Sequence, residues 1–275
     1  MSAIIISAAA PAYADNGNLQ KMQYDVYAGG FHVVEAHLDS DLKKPGRYYL
    51  ELGAKTRGFL GDVAPWHGVF KTDGWHDAKT GAARPETHQA ITTWRDEEEI
   101  KTYKYNKDGS FKEYTLKDPE NDGSPRPVGP ELTEGTTDAL SATFHVMQSI
   151  AANGSCAGSD EVFDGKRRYT MIFKEVKRVE LQSNGYNVYS GPAVECTVEV
   201  KPGAGKWHEK PRGWMSIQEQ GRERGTMPTV WFASLQEDGP AVPVKVRVKT
   251  EYGALLMHLT GYDNGVKHLA MKQEE

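Results

Sequence analysis

Apolar and polar residues alternate one for one along most of this chain, as they do on strands with one dry and one wet face. Val242, Val244, Val246 and Val248 alternate with Lys245, Arg247 and Lys249, and Val194, Cys196, Val198 and Val200 alternate with Glu195, Thr197 and Glu199. The first half of the pattern predicts strands over 22–27, 31–38, 47–55, 66–72, 87–94, 100–105 and 111–116. Tight turns at Ala28-Gly29-Gly30 and Asn106-Lys107-Asp108-Gly109 join them as a meander. Further strands are predicted over 167–181, 186–189, 193–201, 229–235, 242–252 and 254–261.

One stretch changes period. Over 137–152, Leu140, Phe144, Met147 and Ala151 recur at helical spacing, joined by Val146 and Ile150, while Asp138, Ser141, His145 and Gln148 share the other side. Thr136 or Thr137 can cap this helix, Asp138 suits its positive end, and Asn153-Gly154 stops it. A lone helix with a wide apolar stripe needs a sheet to cover. The expected fold is therefore all-β: a large curved antiparallel sheet, a half-barrel or β-spiral, with one helix packed in its concave face. Residues 118–130 are too rich in Pro and Gly for regular structure, and 203–225 have no clear period and read as a flap.

Composition narrows the function. With 33 Lys plus Arg against 38 Asp plus Glu, a net charge of -5 and no basic stripe, the chain is not built to track nucleic acid. A mean hydropathy of -0.62 and the absence of a long apolar run after residue 14 leave no transmembrane helix. Residues 1–14 are apolar, lack a basic start and end in Ala12-Tyr13-Ala14, the small-x-small pattern of a cleavage site. They read as a signal-peptide remnant, with a single β-spiral domain over 15–275. In an oxidising compartment Cys156, at the helix exit, and the inward-facing Cys196 should pair; the alternative is two buried thiols.

Several motifs occur in a telling order: Tyr27-Ala-Gly-Gly-Phe-His-Val-Val-Glu-Ala36, Thr56-Arg-Gly58, Asp138-Ala-Leu-Ser141, Cys156, Phe163-Asp-Gly-Lys-Arg-Arg-Tyr169, Cys196 and Pro243-Val-Lys-Val-Arg247. Together they resemble an exported proteobacterial domain-of-unknown-function family, family 3108. The resemblance implies a periplasmic all-β protein whose fold is similar to the lipoprotein carriers LolA and LolB and to envelope β-spirals. It implies no catalytic residues and no cofactor.

Candidate chemistry is sparse. Asp138, Ser141 and His145 stand at i, i+3 and i+7 on one helix face and offer a hydrolase set, but no G-x-S-x-G elbow accompanies them. Asp118, Glu120, Asp122 and Gly123 imitate a calcium loop that Pro119 and Gly129 spoil. His32 with His37, and His67 with His76, fall on opposite strand faces, so no metal is expected. Asp164-Gly165 with Lys166, Arg167 and Arg168 reads as a charged turn, with an anionic-headgroup site as the alternative. What remains is apolar: Trp66, Phe70, Trp94, Leu140, Phe144, Met147 and Trp231 are the candidate ligand-binding residues of a hollow. The expected function is non-catalytic binding of an acyl lipid, a lipoprotein or an envelope protein partner. A filled structural scaffold and the helix-borne hydrolase are the alternatives.

Overall fold

In the computed structural model of the chain, the alternating segments join into one antiparallel sheet that curls around a helix. The structure describes residues 19–271 apart from 43, 78, 79, 81, 211–213, 238, 251 and 252. The expected signal-peptide remnant over 1–14 and its cleavage site lie outside the described residues, as does Tyr252.

The first meander is β1 (Leu19–Ala28), β2 (Phe31–Asp41), β3 (Arg47–Thr56), β4 (Trp66–His76), β5 (Ala83–Trp94), β6 (Glu97–Tyr105), β7 (Phe111–Asp118) and β8 (Asn121–Pro125), with the short helix α1 (Gly58–Val63) between β3 and β4. After α2 (Pro130–Thr133) and the long helix α3 (Ala139–Asn153) come β9 (Gly158–Phe163), β10 (Arg167–Leu181) and β11 (Gly191–Gly205). Helix α4 (Trp214–Glu223) precedes β12 (Thr229–Ala233), β13 (Val242–Thr250), β14 (Gly253–Asp263) and β15 (His268–Ala270). The strand order is β8-β7-β6-β5-β4-β3-β2-β1-β14-β13-β12-β11-β10-β9, with β15 on the side of β14. Strands β1 and β14 thus meet mid-sheet, and β8 and β9 are its edges.

The edges approach without closing by backbone pairing. Phe163, at the end of β9, packs edge-on against Tyr103 of β6 and Tyr114 of β7, with ring centroids 5.7 and 5.8 Å apart. Beside β9, Thr137 N donates to Glu161 O and Phe163 N donates to Thr137 O, which occupies that strand's open side.

Helix α3 fills part of the concavity. Its Phe144 is fully buried and stacks on Tyr48 of β3 at 5.0 Å, and Met147, Val146 and Ile150 are buried around it. The stripe read from the sequence is therefore the packing face. The opposite face is not a solvated polar one: Asp138 and Ser141 are buried, and His145 and Gln148 are half-buried against the sheet. The cap is Asp138, not Thr136 or Thr137, and Gly154 ends the helix at φ 70°. Cys156 and Cys196 form a disulfide that ties the helix exit to β11.

Three expectations about local structure are corrected. Within 118–130, the hairpin partner β8 forms because Asp118 and Asp122 each accept backbone N–H bonds that shape the turns, and Pro130 opens the short helix α2. Within 203–225 lies α4, anchored by Gln218, whose amide accepts from Val200 N and donates to Val200 O as a neighbouring strand would. Residues 186–189, expected as a strand, are a loop held by Asn187 Nδ2 donating to Val244 O. Strand β9 was hidden from the alternation by its Gly158-Ser-Asp-Glu start.

Candidate functional site: a cavity beside the buried helix cap

Where β3 to β6 face the start of α3, a row of paired positions runs Leu52, Phe70, Ala90 and Lys101 across the sheet, with Gly68, Thr92 and Glu99 in the next row. Ala90 and Thr92 are too small to reach the helix. They leave a cavity of about 350 Å³. Leu140 and Thr143 of α3 and Val162, Phe163, Asp164 and Tyr169 of the β9–β10 hairpin form its other walls. Most of the lining surface is apolar; the polar residues along it are His88, Thr92, Glu99, Lys101, Tyr103, Asp138, Thr143, Asp164 and Tyr169.

The polar groups converge on Asp138. Its Oδ1 accepts from Leu140 N at 3.0 Å, Ser141 N at 2.9 Å and Thr72 Oγ1 at 3.1 Å, while its Oδ2 accepts from Ser141 Oγ at 2.6 Å. The Tyr48 hydroxyl lies 2.9 Å from Ser141 Oγ. His88 Nδ1 lies 2.7 Å from Thr72 Oγ1 and 3.2 Å from Asp138 Oδ1. Thr72, Ser141, Asp138, Tyr48 and His88 are all buried. Because the Thr72 hydroxyl gives its proton to Asp138, its oxygen is left to accept from His88, and Nδ1 carries the ring proton.

This geometry separates the residues read as a hydrolase set. Asp138 and Ser141 meet, but the serine proton goes to the carboxylate and no base faces the oxygen. His145 turns away: its Nδ1 bonds Asp160 Oδ1 at 2.9 Å and its Nε2 bonds Ala83 O at 2.6 Å. Sequence reasoning missed His88, although the alternation that puts Ala90 inward puts His88 inward too.

Of the candidate hollow residues, Phe70 and Leu140 line the cavity. Phe144 and Met147 are sealed in the core around α3. Trp66 and Trp94 are cross-strand partners at the ends of β4 and β5, with Trp94 half-exposed. Trp231 is buried beneath Lys245 and Arg247, which stack over its ring at 5.0 and 5.2 Å. These five line no part of this cavity.

Burial raises the Tyr103 phenol well above its ordinary value, and burial lifts that of Tyr169 to about 12, so both are neutral donors at the cavity wall. Burial alone would lower the His145 pKa, but the bond and charge of Asp160 outweigh it and the net direction is upward. A raised folded-state pKa gives stability that is present below the unfolded value of about 6.5 and lost as pH rises through the folded value. Urea unfolding at pH 5.5 and 8.5 is expected to show a smaller loss toward high pH in Asp160→Asn than in wild type. Equal pH slopes in the two proteins would refute the pairing.

The remaining motifs are structural. Asp164 Oδ1 accepts from Lys166 N and Arg167 N and its Oδ2 from Arg167 Nε, while Arg168 pairs with Glu161 of β9, so both arginines of the turn are engaged in the fold. His32 lies against Asp25, and His37 covers Gly53 beside Glu51. Among the described residues, no three His, Cys, Asp or Glu side chains converge as a metal site, and no helix is long and apolar enough to cross a membrane.

An unclosed, strongly curved antiparallel sheet enclosing a disulfide-anchored helix and an apolar cavity defines an all-β half-barrel. The chain belongs to the family described as "Protein of unknown function (DUF3108)", which it matches over residues 23–260. Among solved structures it is similar to a beta-barrel-like protein of the domain of unknown function DUF1849 from Brucella abortus, at 10% identity and a TM-score of 0.47, covering 90% of this chain and 98% of that one. No curated protein matches it.

Proposed function

We propose that this protein acts without catalysis in the periplasm, sheltering one acyl chain of a lipid or lipoprotein in the cavity between α3 and the sheet. The cavity itself carries the reading: about 350 Å³, with an apolar surface supplied by Leu52, Phe70, Ala90, Leu140, Val162 and Phe163. That volume lies at the small end of ligand sites. At about 30 Å³ for each water-sized group it takes roughly a dozen methylenes, one chain and not two. The disulfide and the signal-like first residues support an oxidising, exported setting. A helix seated in a curled sheet also accords with the LolA- and LolB-like fold that the sequence resemblance implies.

Native mass spectrometry of protein purified from its own envelope, followed by organic extraction, tests this. A stoichiometric single-chain lipid is expected, and Ala90→Trp, which fills the cavity, is expected to lose it. A bare protein that also takes up no lipid when offered detergent-solubilised envelope extract would overturn the reading in favour of a filled scaffold.

A further inference from the structure

The apolar cavity has one built polar atom that nothing among the described residues uses, the Nε2 of His88. His88 has only 7% of its surface exposed, lines the cavity, and holds its proton on Nδ1 toward Thr72 and Asp138. Its Nε2 makes no hydrogen bond among the described residues, and it is not sealed away as the unpaired Nδ1 of His258 is. A buried ring nitrogen held in one tautomer and left open to a cavity is a preset acceptor. An acceptor there selects a ligand with a hydrogen to donate.

Charge on the cavity walls narrows the ligand further. The one Lys among the lining residues, Lys101, is bound to Glu99 Oε1 at 2.5 Å. Asp164 is held by Arg167 of the turn, and Asp138, with 1% of its surface exposed, is held by hydrogen bonds from Leu140 N, Ser141 N, Ser141 Oγ and Thr72 Oγ1 and not by a Lys or Arg. No positive group is left over to receive a carboxylate or a phosphate, while a buried carboxylate lies just behind His88. The Tyr103 ring, 5.3 Å from that of His88, adds an uncharged aromatic surface to the same wall.

The geometry points to a neutral, hydroxyl-bearing single-chain amphiphile, such as a monoacylglycerol or a long-chain alcohol, whose hydroxyl donates to His88 Nε2 while its chain lies along Phe70 and Leu140. This rests on the acyl-binding reading of the cavity and specifies the head group it accepts.

The test is titration calorimetry of delipidated full-length protein at pH 7.5 with monolauroylglycerol and with laurate, plus displacement of an apolar naphthylamine dye as a measure of the cavity alone. Monolauroylglycerol is expected to bind at least tenfold more tightly than laurate. His88→Leu is expected to weaken monolauroylglycerol about tenfold, the loss of one hydrogen bond to a buried acceptor, and to leave dye binding unchanged. His88→Gln keeps a carbonyl acceptor and is expected to retain most of the affinity. Laurate binding as tightly as monolauroylglycerol in wild type overturns the head-group assignment, even if His88→Leu does not fold. So does a His88→Leu variant that keeps the preference. If dye and both amphiphiles fail to bind wild type, the cavity reading falls with it.

Discussion

Asp138→Ala is expected to destabilise the protein by about 3–5 kcal/mol, a large share of the ordinary stability of a folded domain. The residue sits at a helix start, where losing a cap costs about 1 kcal/mol on its own. Here the cap is also the acceptor for Thr72 and Ser141 hydroxyls and lies against His88, all inside the protein. Removing the carboxylate strands these donors in a place water does not reach, and each stranded donor costs about 1–3 kcal/mol. Asp138→Asn keeps one acceptor oxygen for the helix N–H groups but turns a second donor on Ser141 Oγ, so it should fall between the two. Urea denaturation followed by circular dichroism gives the values. A loss under 1 kcal/mol for the alanine variant would mean the network is not formed as described.

Replacing both cysteines by alanine is expected to cost about 4 kcal/mol, because the cross-link closes a loop 40 residues long and restricts the unfolded chain. For a chain of this size, that corresponds to a fall in melting temperature of roughly 10 °C. Alanine is preferred to serine here because both sulfurs are fully buried and a hydroxyl would add a second penalty. The same burial makes the bond resistant to a mild reductant while the protein is folded. Reductant should therefore act only in step with unfolding. A double-alanine variant that melts with the wild type would show that the helix exit needs no covalent tie.

The sheet was legible in the sequence because its strands bury one face and wet the other, so Val242 to Val248 announce both element and orientation. The helix was legible for the same reason, from Leu140, Phe144, Met147 and Ile150. Helix α4 was not, since its apolar residues Trp214, Met215 and Ile217 are confined to the first turn, too short a run to set a period, and the residues it buries are Gln218 and Gly221. The polar side of α3 misled for a more instructive reason. Asp138 and Ser141 carry the residue types of a solvated face, and only the arrival of Tyr48, Thr72 and His88 from three separate strands buries them. The cavity is likewise set by what is missing, the bulk that Ala90 and Thr92 do not supply, and convergence of small residues across a sheet leaves no local signature. Trp231 and Phe144 show the reverse: large aromatic residues in the right class of position, used for packing.

The pairing of β1 with β14 has a consequence for how the chain reaches this state. The hairpins from β1 to β8 can zip one after another, each strand meeting its neighbour in sequence, yet the outer side of β1 waits for a partner that is among the last strands in the chain. Contacts across that seam, such as Tyr262 to Gln20, span 242 residues. Closing such a span makes assembly slow in its final step. Until it closes, residues 19–28 present an unsatisfied strand edge, the surface most prone to pair with another molecule. Newly emerged chains are therefore most vulnerable to aggregation at their first strand, and anything that shields that edge until β14 arrives would raise the yield of folded protein without stabilising the fold.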